Sequence, residues 1–428
     1  MQMGKQRAGR IEWRRLLLAL PFAAVLAACS TVPEATRAPA PATPSEAATA
    51  TAHVQQRRDW HFAADGVTFS NRLESARLND VRRLGAGDYA VTIAPEIVPI
   101  NPSPWYGFTV SAEAERPLRI EFRYRDGKAR YWPKLSRDGK RWHAATPEQF
   151  AEGEQGTALT VDAGPQPLHV FAQPPIGIGA FADWGNALVE RGVARRSVIG
   201  ESERDRPLHM LALGNPDARE VLLVLGRQHP PETTGTQALM GFVDELAADS
   251  PLARDFRERT LVIVVPLLNP DGVVEGNWRG NINGQDLNRD WGPFTQSETR
   301  AVRDLLEREL DDKGRRLAFA IDFHSTWSDV FYTVEEAPSR RPGGVLRRWI
   351  DDMQQRYPGR IRESASPSGN SAVFKNWAFR QYRAPTVTYE VGDKTGSEQL
   401  HELATFAADS VMRILLDATP PTGPAGAP

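Results

Sequence analysis

The chain reads as an α/β protein whose sheet carries helices on both faces, preceded by a small β-sandwich. Three observations predict this. Apolar runs alternate with amphipathic helical segments after about residue 175. From about 55 to 170 short stretches alternate apolar and polar residues with turns between them. The 428 residues, 41% hydrophobic and 25% charged, suit one large or two medium globular domains.

The sandwich rests on "DYAVTIAPE", "PWYGFTVSAE" and "PLRIEFRYRD", with a hairpin in "LSRDGKRWH" turning at Asp138 and Gly139. The sheet that follows rests on "LHMLALG", "EVLLVLG", "LVIVVPLL", "LAFAIDF" and "PTVTYEVG". Helical periodicity marks "TQALMGFVDELAAD", "TQSETRAVRDLLEREL" and "GSEQLHELATFAADSVMRILLD". The expected organisation is a leader over 1–28, an Ala/Pro/Thr-rich tether over 29–54, a β-sandwich domain over 55–172, a second domain over 173–417 and a disordered tail over 418–428. The net charge of -2 gives no argument for nucleic acid. No internal repeat is evident.

In the leader, five basic residues precede "LLLALPFAAVLAA", too short to span a bilayer comfortably. "LAACS" then places small residues before Cys29, the one cysteine of the chain, so no intrachain disulfide is possible. This resembles the lipobox of bacterial lipoproteins, which implies cleavage before Cys29, its lipidation and a membrane anchor. Ser30 after the cysteine implies, by the same resemblance, the outer membrane of a Gram-negative envelope, facing the periplasm. The other reading is an ordinary cleaved signal.

Chemistry concentrates at the ends of the apolar runs. "VLLVLGRQHPPETTG" closes one of them with His229 and Glu232, stiffened by Pro230 and Pro231. Either this pair binds a metal or the strand ends in a polar turn. His324 closes "AFAIDFHST", and two histidines with one carboxylate form a set that leaves a fourth position open, as catalytic zinc requires. Between them "PLLNPDGVVEGNWRGNINGQDLNRDWGPF" is dense in Asn, Gly, Asp and Arg. Arg279 and Arg289 offer forked donors for a carboxylate or a polarised carbonyl, and Asn288 adds a neutral one. A solvated glycine-rich loop is the competing reading.

Taken together, "HPPE", "NPDG", "GNWRGN", "GQDLNRDW", "DFHS" and "TYEVGD" resemble the zinc metallocarboxypeptidase family, in the family's order. They are most similar to its cytosolic-carboxypeptidase-like branch and bacterial relatives. "PSPWYGFTV" and "YWPKLSRDGKRW" resemble the N-terminal β domain of that branch. The resemblance implies a mixed sheet and one zinc ion held by His229, Glu232 and His324. It implies carbonyl polarisation by Arg279, capture of a peptide's terminal carboxylate by Asn288 and Arg289, and Glu390 as general base. Lys375, fifteen residues before Glu390, matches the position that reads the terminal side chain, which suggests acidic ends. The tyrosine that caps the site in well-known digestive members has no counterpart in "SASPSGNSAVF". The expected function is zinc-dependent removal of C-terminal residues from a peptide substrate. The alternatives are an amidase or deacylase acting on cell-wall peptides, and a non-catalytic anchored binding protein.

Overall fold

The computed structural model describes residues 55–153, 156–341 and 343–418. The expectations for the leader, Cys29 and the tether fall outside them, as does the tail from residue 419. The described residues open with eleven strands. They are β1 (Asp59–Phe62), β2 (Val67–Ser70), β3 (Asp80–Gly85), β4 (Asp88–Ile93), β5 (Gly107–Ala112), β6 (Arg116–Tyr124), β7 (Lys134–Ser136), β8 (His143–Ala144), β9 (Phe150–Gly153), β10 (Gly156–Ala163) and β11 (Leu168–Phe171). They form two sheets, ordered β1-β2-β5-β11-β7-β8 and β3-β4-β6-β10-β9. The inward positions of β4, β5, β6 and β10, among them Tyr89, Phe108, Ile120 and Leu159, meet in one core between the sheets. β7 and β8 pair as a hairpin, and Gly139 takes the positive φ its turn needs.

Helix α1 (Ile178–Glu190) leads into β12 (Ala194–Glu201), β13 (Pro207–Gly214) and β14 (Glu220–Gly226). Then come α2 (Thr233–Leu246), α3 (Pro251–Arg259), β15 (Thr260–Val265), α4 (Pro270–Glu275), α5 (Ser297–Leu306), β16 (Arg316–Thr326) and β17 (Val330–Val334). The last elements are α6 (Val345–Arg356), β18 (Arg362–Ser366), α7 (Phe374–Tyr382), β19 (Thr386–Gly392) and α8 (Ser397–Ala418). Eight strands make one mixed sheet, ordered β12-β13-β15-β14-β16-β19-β17-β18. Its centre, β15-β14-β16-β19, is parallel. The alternation of side chains along β14 sorts the two covering layers. Leu222 and Val224 pack with α2, α3, α6 and α8, while Val221, Leu223 and Leu225 pack with α5 and α7. Burial on both faces explains why these strands read as unbroken apolar runs.

The C-terminal ends of β14, β16 and β19 stand side by side in this sheet, where open α/β sheets place their ligands. Helix α2 approaches that edge closely: a Cβ at Gly235 would lie 2.3 Å from the carbonyl oxygen of His324. Only glycine tolerates that approach.

The strand-rich region is joined to this edge by polar contacts. Helix α4 ends at Gly276, in the left-handed conformation, where a Cβ would lie 2.7 Å from the carbonyls of Ser75 and Ala76. The carbonyls of its last turn need partners. Ser75 Oγ donates to Val273, Ser75 N and Arg57 to Val274, and Gln55 to Glu275. Arg130 reaches across as well, donating to Asp393 at 2.8 Å just beyond β19.

Candidate metal centre and active site

Arg227 follows β14 with φ 52°, a left-handed conformation that costs a bulky side chain energy. Its buried guanidinium offsets this by donating to Pro230 O and Thr236 Oγ1, which fixes the loop carrying His229. Glu232 sits immediately before α2, and His324 near the end of β16. All three side chains are buried.

Their donor atoms converge. His229 Nδ1 lies 2.9 Å from Glu232 Oε1, His324 Nδ1 lies 2.8 Å from Glu232 Oε2, and the two Nδ1 atoms are 3.1 Å apart. Donors around a four-coordinate zinc, at about 2.05 Å from the ion, are about 3.3 Å apart. The far ring nitrogens fix the tautomers. His229 Nε2 lies 2.9 Å from Asp286 Oδ1 and His324 Nε2 lies 2.8 Å from Asp322 Oδ2. An ionised carboxylate only accepts, so each Nε2 carries the proton and each Nδ1 presents a lone pair. Two lone pairs and a carboxylate facing one point form an acceptor set that a cation completes. His229, Glu232 and His324 are positioned to bind a metal ion.

The same groups act strongly on one another's charge. Burial alone would raise the Glu232 carboxyl, but His229 and His324 overcome it and hold it well below the usual range. Burial likewise opposes ionisation of Asp286, which Arg279 and His229 bring far down. Burial would lower His324, yet the Asp322 and Glu232 carboxylates raise it well above an ordinary histidine, so a metal ion at Nδ1 takes the place of a proton there.

Around this centre the remaining sequence candidates take distinct places. Glu390 lies opposite His324 in the β16–β19 ladder. Burial first, then the neighbouring Glu232 charge, raises its carboxyl, and its Oε2 is buried with no hydrogen-bond partner among the described residues. Arg279 donates from Nε to Asp286 Oδ2 at 2.6 Å. Its terminal nitrogens have no protein partner among the described residues, and Asp286 and Glu232 keep it charged despite burial. Asn288 is buried; its Oδ1 accepts from Phe374 N and its Nδ2 lies 3.4 Å from His324 Nε2. Arg289 is exposed and spends one donor on the Asn288 carbonyl.

Lys375, in the first turn of α7, is buried. Its Nζ donates to Asn376 Oδ1 at 2.8 Å and to Thr333 O and Ser366 Oγ at 3.2 Å, all neutral. Burial lowers its pKa to about 8. The flanking tyrosines point elsewhere: Tyr357 donates to Glu402 O, and Tyr382 packs against Trp377. Tyr332, opposite Thr388 on β17, is raised first by burial and then by the Glu390 charge, and the β17–β19 register puts it on the same face of the sheet as that carboxylate. Sequence reasoning missed Tyr332, Asp286 and Asp322. For Asp322 a signal existed, since two positions before His324 on a strand is the same face.

A family model described as zinc carboxypeptidase matches residues 183–403. The mouse protein described as cytosolic carboxypeptidase 6 is 27% identical over 289 residues, covering 60% of this chain and 53% of the relative. For its human counterpart, at the same identity, the covered share of the relative is 57%. The chain thus spans about half the length of the curated relatives it matches. In fold it is similar to a metallo-carboxypeptidase from Burkholderia cenocepacia, with TM-score 0.68 at 20% identity over 82% of this chain and 100% of that one. A metallo-carboxypeptidase from Pseudomonas aeruginosa, solved with (2-guanidinoethylmercapto)succinic acid, gives TM-score 0.66 at 19% identity over 82% and 99%.

Proposed function

Because this chain belongs to the zinc carboxypeptidase family, we propose that it hydrolyses the last amide bond of peptides that end in a free carboxylate. The observation that carries the reading is the acceptor set of His229, Glu232 and His324 with Glu390 beside it, whose buried Oε2 has no hydrogen-bond partner among the described residues. Zinc, when bound there, supplies the Lewis acidity that polarises a carbonyl and acidifies a water. Glu390 takes the proton of the attacking water and returns it to the leaving nitrogen, and the raised affinity of its carboxyl for protons suits both steps. In this reading the guanidinium nitrogens of Arg279 left over by Asp286 stabilise the oxygen on which charge develops. Arg289, exposed and without a carboxylate ion-pair partner among the described residues, takes the substrate's terminal carboxylate, with Asn288 beside it.

The test is metal analysis with turnover of blocked dipeptides. About one zinc per chain and chelator-sensitive release of the terminal residue are expected. His324→Ala removes most of both; stoichiometric zinc and full activity in that variant sink the assignment. Equal cleavage of dipeptides with amidated ends sinks the carboxypeptidase reading in favour of an amidase.

The preferred terminal residue is acidic in this reading. A buried ammonium whose hydrogen-bond acceptors among the described residues are all neutral gains from an incoming carboxylate. Among dipeptides differing in the last residue, Glu or Asp ends are expected to lead in kcat/KM by about tenfold or more. Best cleavage of Leu or Phe ends, with a ranking indifferent to Lys375→Ala, removes the claim.

The location proposed is the bacterial envelope, through lipidation of Cys29. Fatty-acid labelling of the parent, lost in Cys29→Ala, is the expected result. Unlabelled protein in the soluble periplasm leaves only a cleaved signal. Among the described residues no helix is long and apolar enough to cross a membrane.

A further inference from the structure

The loop that carries Arg279 is built on a carboxylate from the strand-rich region. Glu96, a few residues beyond β4, is 1% exposed. Its Oε2 accepts from Trp278 N at 2.8 Å, and its Oε1 accepts from Arg279 N at 3.0 Å and Gly280 N at 2.6 Å. Three successive backbone N–H groups around one anion form a nest, here filled from within the chain. Nearby contacts brace the same loop. Arg77, fully buried, donates to Asn277 Oδ1, and Asn277 Nδ2 donates to the carbonyls of Gly280 and Asn281. The Trp278 indole enters the core between the two N-terminal sheets and donates to Trp105 O at 3.0 Å.

We infer that Glu96 is a positioning residue for Arg279, so that the strand-rich region supplies part of the reaction centre; this rests on the carboxypeptidase reading above. Glu96 touches no reacting atom. It fixes the backbone at Arg279, whose Nε is then held by Asp286 while its terminal nitrogens stay free. A glutamine in its place has one accepting oxygen and an NH2 group, which repels any of the three N–H donors it meets. The loop then loses its register, and displacement of about 1 Å at a charge-stabilising group costs up to about a hundredfold in rate.

The experiment compares the parent, Glu96→Gln, Glu96→Asp, Arg279→Ala and the Glu96→Gln/Arg279→Ala double variant, each normalised to its zinc content. Glu96→Gln is expected to lower kcat at least about tenfold with KM little changed, and Glu96→Asp, which keeps the charge, to recover part of it. In the Arg279→Ala background Glu96→Gln is expected to change kcat no further. An equal loss in both backgrounds, or a loss that vanishes on zinc normalisation, overturns the inference. Amide hydrogen exchange over 278–280 gives a readout without turnover. Protection in the parent and its loss in Glu96→Gln (or, if that variant does not fold, its weakening in Glu96→Asp) are expected; unchanged protection overturns the anchoring. A parent without peptidase activity refutes the carboxypeptidase reading alone, and exchange then decides on Glu96.

Discussion

Glu390 Oε2 is buried with no hydrogen-bond partner among the described residues, which leaves it free to accept a proton. Its use as the proton acceptor predicts that Glu390→Gln retains zinc and loses at least about a hundredfold in kcat, measured as turnover per bound metal. Near-parent turnover moves the role to another group. Lys375 gives a pH test. With its pKa lowered to about 8, it is charged at neutral pH and loses its proton as pH rises through that value. The preference for acidic ends is therefore expected to shrink above about pH 8, read from kcat/KM for Glu-ended and Leu-ended dipeptides. A preference constant to about pH 10 removes Lys375 from the pocket. At this scale the sequence was most legible where a strand ends in a ligand, as at His229 and His324. Asp286 was not legible, because its partners His229 and Arg279 reach it only through the folded loop. Glu96 left no signal at all: it lies 182 residues from Trp278, whose N–H it accepts.

At the scale of elements, α5 carries a second buried acid. Glu298 in its first turn is fully buried, with both carboxyl oxygens 3.3 Å from Asn281 Nδ2. Burial, with Glu203 and Asp271 adding to it, raises the carboxyl to about 7. Because the folded pKa lies above the unfolded one, the folded state binds the extra proton. The stability it contributes is present below about pH 4.5 and is lost as pH rises to about 7. Glu298→Gln is therefore expected to gain on the parent by on the order of 2 kcal/mol between about pH 5 and pH 8, seen as a widening gap in denaturant midpoints. A gap that narrows with pH contradicts the assignment. Legibility among elements followed burial. The central strands, covered on both faces, announced themselves as apolar runs. The edge strands β12 and β18 did not, since most of β12 is exposed and β18 holds no large apolar residue.

For the whole molecule, the energetics run through Trp278. Its side chain is fully buried in the core of the strand-rich region although the residue belongs to the loop after α4. Trp278→Ala is expected to cost about 3–5 kcal/mol and to lower kcat as well, because Arg279 is the next residue. Urea unfolding and turnover of the same preparation check both; a loss of stability with kcat intact separates the two roles. Residues 173–417 produced alone would expose that indole together with the α4 carbonyls that Ser75, Arg57 and Gln55 cap, and are expected to aggregate. The order of synthesis gives the same contact another meaning. The strands up to Phe171 leave the ribosome more than a hundred residues before Trp278 does. Until then the newborn sandwich has an apolar socket at its heart and a Glu96 carboxylate without its three donors. The chain must travel through β14 and β15 before it can close that gap, so the core of the strand-rich region is complete only once the later part of the sequence has been made.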